Sequence, residues 1–162
     1  MIILGTAPCL EEDLAMLFTF FVPIAECDFT AVGLDCAHRY LGRIEHAVSY
    51  HAKDFKEFRE RRKKAGGNLD YITHSHNANG NPDRIWPYFS PSGSSAMLGV
   101  EVAIGLAYEK VICAGVLLED KEYRRFQEGW KVRYEKIKDK VRALSGFPRE
   151  LLGPPSKEWL NG

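Results

Sequence analysis

Several features that assign a function directly are missing from this sequence of 162 residues. It has only four cysteines and no C-x-x-C pair, so we expect neither disulfides nor a cysteine zinc site, but reduced thiols in a cytoplasmic protein. It also has no net charge, because 22 lysines and arginines balance 22 aspartates and glutamates. A chain without excess positive charge does not attract nucleic acid strongly, so we do not expect duplex nucleic acid as a partner.

Long hydrophobic runs are missing too. The longest, Leu14 to Ala25, is too short to span a bilayer. It follows Glu11, Glu12 and Asp13, where a secretory signal would carry basic residues. We therefore expect no membrane contact, and we interpret the run as a buried helix that ends near Pro23.

Short apolar runs alternate with helical patterns along the chain. Strand-like runs occupy Met1–Leu4, Phe29–Leu34, His46–Tyr50, Asp70–Thr73 and Lys110–Ala114, with Val141–Ser145 as a candidate last strand. Strands that alternate with helices form parallel sheets through right-handed crossovers. The sequence therefore predicts a single three-layer α/β Rossmann-like domain over residues 1–162, with a mostly parallel sheet of about five strands and helices on both faces.

Two segments stand out from this alternation. Residues 74–95 are rich in glycine, proline and asparagine, which predicts a long loop of the kind that carries active sites. Residues 121–142 repeat apolar side chains every three or four positions, which predicts a long amphipathic helix. Its aromatic stripe either packs in the core or forms the contact of a homo-oligomer.

In doubly wound sheets, ligands bind beyond the carboxyl ends of the strands, where the strand order reverses. In this chain, that rule selects the following turns: Gly5–Cys9, Asp35–His38, His51–Lys53, His74–His76, Ser92–Ser95 and Gly115–Asp120.

Two of these turns have the composition of an anion site. Gly5, Thr6, Ala7 and Pro8 lie between a strand and a helix, which places backbone N–H groups beside a helix N-terminus. Ser92, Gly93, Ser94 and Ser95 precede another helix, where a serine can cap and the glycine lets a ligand approach. Each turn also has an alternative explanation without a ligand, namely a tight turn for the first and helix capping for the second. Neither matches G-x-G-x-x-G or a P-loop.

The histidines His74 and His76 follow the fourth predicted strand and are the candidate catalytic bases, because imidazole can accept a proton near neutral pH. The alternative is a pair of solvated loop histidines. Together with Asp35 they could bind a divalent metal, but H-x-H is a weak signal, so we assign no metal ligands.

Two stretches resemble a known family. "MIILGTAPCL" at Met1–Leu10, and Ser92-Gly93 followed by a helix and "GLAYEKVICAG", are similar to segments of bacterial CMP-sialic-acid-dependent sialyltransferases. Motility-associated glycosyltransferases and 6-hydroxymethylpterin diphosphokinase-like proteins are relatives of that family. The resemblance implies that the two turns hold the phosphates and sugar of a nucleotide, with Asp35 near a phosphate-binding position. The diphosphokinase-like relatives imply a magnesium nucleotide, which would explain carboxylates at Asp35, Glu119 and Asp120.

We therefore expect a cytoplasmic protein that binds a nucleotide or nucleotide-sugar as a small-molecule ligand, with Mg²⁺ as a candidate ion and no tightly bound cofactor. If the protein is an enzyme, the resemblance implies a glycosyl or diphosphoryl transferase. The alternative is a non-catalytic Rossmann-like scaffold or assembly protein.

Overall fold

Seven short strands form one sheet in which every neighbouring pair is parallel. This computed structural model describes residues 1–20, 26–87 and 94–162, with the backbone alone for Phe20. The strands are β1 Ile2–Leu4, β2 Phe29–Val32, β3 His46–Val48, β4 Ile72–Ser75, β5 Arg84–Ile85, β6 Val111–Ala114 and β7 Val141–Ala143. Their order across the sheet is β5-β4-β3-β2-β1-β6-β7.

Helices connect these strands. They are α1 Leu10–Phe20, α2 Cys36–Arg39, α3 Phe55–Ala65, α4 Ser95–Gly105, α5 Arg124–Ile137, α6 Gly146–Leu152 and α7 Lys157–Asn161. Single 3₁₀ turns at Ala52–Asp54 and Lys121–Tyr123 lead into α3 and α5. Gly66 ends α3 in the left-handed conformation, with φ of 84°, as a helix-terminating glycine does.

Alternating side chains of the strands face two separate cores. Ile2 and Leu4 of β1 pack with α1, α2 and α3 on one face, whereas Ile3 packs with α4 and α5 on the other. Both faces of the sheet are therefore covered, as the apolar strands of a parallel sheet require. The predicted three-layer α/β domain is confirmed, with seven strands rather than about five.

Several predicted boundaries differ from those of the structure. The fourth strand is Ile72–Ser75 rather than Asp70–Thr73, so His74 lies inside it. The segment 74–95 is not one loop, because it contains the end of β4 and all of β5. The helix predicted over 121–142 ends at Ile137, and Val141 belongs to β7.

The C-terminal half of the aromatic stripe of α5 packs inside the molecule. Trp130 is fully buried in the core beneath α4 and β6, with Ile137 buried and Tyr134 packed against the same cluster. For Trp130, Tyr134 and Ile137, core packing is the interpretation that the structure shows. A homo-oligomer contact through the 121–142 helix stays a prediction.

The sheet reverses its direction of growth at β1. Strands β1 to β5 follow one another toward one edge, whereas β6 returns to the other side of β1 and β7 continues toward the second edge. The connections leaving β1 and β6 therefore diverge at the carboxyl ends of these two strands, which opens a crevice between them.

Candidate functional site

A cavity of about 520 Å³ occupies the crevice at the carboxyl ends of β1 and β6. Its volume falls within the range of small-molecule sites. Two turns selected from the sequence, Gly5–Pro8 and Ser94–Ser95, meet there, and a third, Gly115–Asp120, forms the opposite wall. The fold thus brings together segments that are about 90 residues apart in the sequence.

Glycines form the floor of this cavity. Gly5, Gly33 and Gly115 each directly follow a central strand, β1, β2 and β6 respectively, and all line the cavity. A Cβ added at Gly5 would overlap the carbonyl group of Gly115, so the two backbones approach more closely than any side chain allows. Gly115 also has φ of +66°, which favours glycine. The lining at this point is therefore backbone without side chains.

A buried carboxylate fixes the two turns relative to each other. The Oδ2 atom of Asp13, in the first turn of α1, accepts hydrogen bonds from the N–H of Gly115 at 2.7 Å and the hydroxyl of Ser145 at 2.6 Å. The N–H of Ala7 donates to the carbonyl of Gly115 at 3.0 Å. Since Asp13 is only 5% exposed, these charge-assisted bonds are shielded from water and make the cavity floor rigid.

The N-terminus of α4 forms another part of the wall. Ser94 caps this helix, because its hydroxyl accepts a hydrogen bond from the N–H of Met97 at 3.4 Å. The hydroxyl of Ser95 accepts from the N–H of Tyr50 at 3.0 Å, which ties the segment after β3 to α4. The first turn of α4 has no acidic residue, so the positive end of its dipole is available to an anion.

The wall opposite is mostly apolar. Leu118 has φ of +55°, an unusual conformation for leucine. It is held there by the side-chain amide of Gln127, which donates to its carbonyl at 2.6 Å. Tyr123 and Phe126 stack with ring centroids 5.7 Å apart and also line the cavity. Such a wall can accept a flat apolar group, such as a nucleobase.

The charged groups of the cavity are few. Among the described lining residues, Glu119 and Asp120 are acidic, His51 can become cationic, and none is lysine or arginine. Anion binding at this site would therefore depend on backbone N–H groups, the dipole of α4, the imidazole of His51, or a cation that accompanies the ligand.

His74 is not in the loop where the sequence placed it. It lies within β4, is fully buried, and does not line the cavity. The indole N–H of Trp86 donates to Nδ1 of His74 at 2.9 Å, and Nε2 of His74 lies 3.0 Å from Nδ1 of His46. Because an indole N–H can only donate, the proton of the neutral His74 ring is on Nε2 and points to His46. Burial lowers the pKa of His74 to about 4.

His76 does lie just beyond β4, as predicted, but outside the cavity lining. Its ring stacks on Tyr50 at a centroid distance of 3.9 Å, and the side-chain amide of Asn77 lies 3.0 Å from its Nε2. Burial lowers its pKa. Both predicted catalytic histidines therefore make packing contacts and hydrogen bonds within the protein. Their catalytic role stays a prediction.

Asp35 is likewise placed away from the cavity lining. Its carboxylate forms an ion pair with Arg61 at 3.0 Å, at the start of α2. The predicted alternative of a metal site from Asp35 and the two histidines has no geometric support, since the described residues contain no group of three or more candidate ligands. The described cavity lining does contain two carboxylates, those of Glu119 and Asp120.

Two predicted site residues, Ser92 and Gly93, lie outside the described residues. The cavity lining also includes residues that the sequence does not single out. His51 belongs to one of the selected turns, and Gly33 lies in a run that the sequence predicts as a strand. The rings of Tyr123 and Phe126 belong to the predicted helix stripe, and only the three-dimensional arrangement shows that they face the cavity. The signal available for Gly33 was its position at the end of a β-type run.

No helix among the described residues combines the length and the apolar character that crossing a bilayer requires.

Comparisons with protein-family models, with curated proteins and with solved structures found no match to this chain, so the site's own geometry is the basis for assigning its function.

Proposed function

We propose that this protein binds a nucleotide or nucleotide-sugar in the crevice between β1 and β6. One observation carries the proposal: the cavity of about 520 Å³ lies at the point where the strand order reverses, and the Gly5–Pro8 turn and the N-terminus of α4 meet in its wall. Doubly wound sheets bind their ligands at this position.

The two ends of the cavity suit the two ends of a nucleotide. The Gly5–Pro8 turn and the capped start of α4 offer backbone and a helix dipole, which suit phosphate. The stacked rings of Tyr123 and Phe126 offer an apolar surface, which suits a base. We therefore orient the phosphates toward Ser95 and the base toward Phe126.

The scarcity of basic residues in the lining points to a divalent cation bound together with the phosphates. Glu119 and Asp120 would repel a bare polyphosphate, whereas a magnesium nucleotide presents a cation to them. If the nucleotide is consumed, the reaction is transfer of its glycosyl or phosphoryl group, the activity that the resemblance implies.

A thermal-shift panel tests the proposal. CMP, UDP, GDP and ATP are each added with and without Mg²⁺, together with UDP-glucose as a nucleotide-sugar. A ligand that prefers the folded state at about a hundredfold excess over its Kd adds about 2.7 kcal/mol, which raises the melting temperature by roughly 5 °C or more. No rise with any compound contradicts the proposal.

A matched pair of variants locates the site. Thr6→Glu adds a negative charge at the phosphate end of the cavity, whereas Thr19→Glu makes the same change at the opposite end of α1, on an exposed position. Thr6→Glu should abolish the ligand-induced rise and Thr19→Glu should retain it, while melting without ligand shows that each variant folds. Equal responses in the two variants would place binding elsewhere.

A further inference from the structure

Three histidines lie near the carboxyl ends of β3 and β4, and they differ in what surrounds them. His74 is buried and both its ring nitrogens are engaged. His76 stacks on Tyr50 and pairs with Asn77. His51 alone of the three lines the cavity, and it is exposed. Within the described residues, its imidazole makes no hydrogen bond that would occupy its ring nitrogens.

The backbone of His51 is fixed although its ring is exposed. Its N–H donates to the hydroxyl of Ser49 at 3.0 Å, and its carbonyl accepts from the N–H of Asp54 at 2.9 Å. Its ring meets the neighbouring ring of Tyr50 edge-on at 5.8 Å. The N–H of Tyr50 is bonded to Ser95, the first residue of α4. This chain of contacts holds His51 beside the helix N-terminus that we assign to phosphate.

We propose that His51 is a phosphate-contacting residue of this cavity, whose imidazolium form donates a hydrogen bond to the anionic end of the ligand. The inference rests on the proposed nucleotide function and deepens it, because it names the side chain that makes anion binding depend on pH. Since no lysine or arginine is present among the described lining residues, this imidazole is the described lining side chain that can donate to a phosphate as a cation.

Other ionisable groups lie near His51, and the test must separate their effect on binding from that of His51. His76 at the end of β4 is close enough for its pKa to be affected by His51. Tyr50 precedes His51, and Lys53 and Asp54 follow it in the same 3₁₀ turn. Glu119 and Asp120 belong to the facing wall of the cavity. His76 is therefore the control histidine of the test.

The test measures binding of UDP-glucose, ADP-glucose, GDP-mannose and CMP-N-acetylneuraminate by calorimetry between about pH 8 and about pH 5.5. Their phosphate esters stay ionised throughout this range, so any pH dependence comes from the protein. We expect wild-type affinity for the compound that binds to rise about tenfold toward the lower pH, the magnitude of one charged hydrogen bond.

Three variants separate the contributions of His51 and His76 to the pH dependence of binding. His51→Gln should bind with the weak, high-pH affinity at every pH. His51→Lys carries a permanent charge and should bind about equally well across the range. His76→Gln, the matched control, should keep the wild-type pH dependence.

Binding whose pH dependence persists in His51→Gln, or is lost in His76→Gln instead, overturns this inference and leaves the proposed function standing. Absence of binding by every compound at every pH overturns this inference, and it overturns the proposed function as well if no compound of the thermal-shift panel raises the melting temperature.

Discussion

Gly5 and Gly115 lie against each other at the floor of the cavity, so closely that a Cβ on Gly5 would overlap the carbonyl group of Gly115. The contact joins the turn after β1 to the turn after β6, the two strands between which the sheet reverses. The backbone of Gly115 leaves no room for a side chain on Gly5, and the contact therefore determines how closely the ends of the two strands approach each other.

Gly5→Ala should consequently destabilise the protein by about 3 kcal/mol, the upper end of overpacking costs, because the obstructing atoms are backbone. Gly66→Ala is the matched control. Gly66 has positive φ but no atom within 4 Å of an added Cβ, so only the left-handed strain of about 1 kcal/mol applies. Urea unfolding measures the free energy of unfolding of both variants. An equal decrease in the two variants would contradict the close contact between Gly5 and Gly115.

Ser94→Ala should lower stability by about 1 kcal/mol through loss of the cap of α4, and should also weaken nucleotide binding. Ser156→Ala removes an equivalent cap from α7. That helix lies near Lys110 and Asp139, which precede β6 and β7, so it is at the amino ends of these strands, whereas the cavity is at the carboxyl ends. This control should cost similar stability and leave the ligand-induced melting shift intact, whereas a shift lost in both variants would indicate a general stability effect.

Stability should fall as the pH drops from about 6.5 toward 4, because of His74. Burial holds the pKa of His74 at about 4 in the folded protein, below its ordinary value of 6.5. The unfolded chain therefore takes up this proton first as the pH falls, and the folded state loses on the order of 3 kcal/mol across that interval. Burial also lowers the pKa of His46, which adds in the same direction.

Urea unfolding at a series of pH values measures this slope in wild type and in His74→Gln. The variant should show a shallower slope, while replacing the exposed His38 by glutamine should leave it as in wild type. An unchanged slope in His74→Gln would refute the assignment.

The four cysteines should divide into two pairs by reactivity. Burial raises the pKa of Cys36 and of Cys113 to about 12, and the Cys36 thiol also donates to the carbonyls of Leu4 and Gly5. Cys9 and Cys27 are half-buried, with more modestly raised pKa values. An aromatic disulfide reagent at about pH 8 should therefore modify two thiols in the native protein and four after unfolding. Rapid reaction of three or more native thiols would be inconsistent with the two buried sites.

The architecture could be predicted from the sequence because its strands are apolar runs at regular spacing. The wrong boundaries of individual strands and helices have local causes. Val141 lies four residues after Ile137, so it continues the helical repeat although it begins β7. The strand β5 has two exposed residues, Arg84 and Ile85, and therefore no pattern. His74 and Ser75 look like loop residues, but in β4 their polar atoms are satisfied by His46 and the carbonyl of Ser49.

The candidate site was partly predictable for a related reason. Glycine and serine turns at strand ends mark Gly5–Pro8 and Ser94–Ser95, and the strand order brings them together. Nothing in the sequence distinguishes His51 from His74 or His76, because burial and hydrogen bonding depend on which strands become neighbours. Placing a side chain in the cavity required the tertiary structure.

Chemical-shift mapping with the nucleotide or nucleotide-sugar that raises the melting temperature most tests the central claim directly. The account predicts that the largest amide perturbations fall on Gly5–Ala7, on Ser94–Ala96 and on Gly115–Asp120, the segments that line the crevice between β1 and β6. Perturbations confined to another surface, such as the last turn of α3 with Lys63 and Lys64, would contradict it.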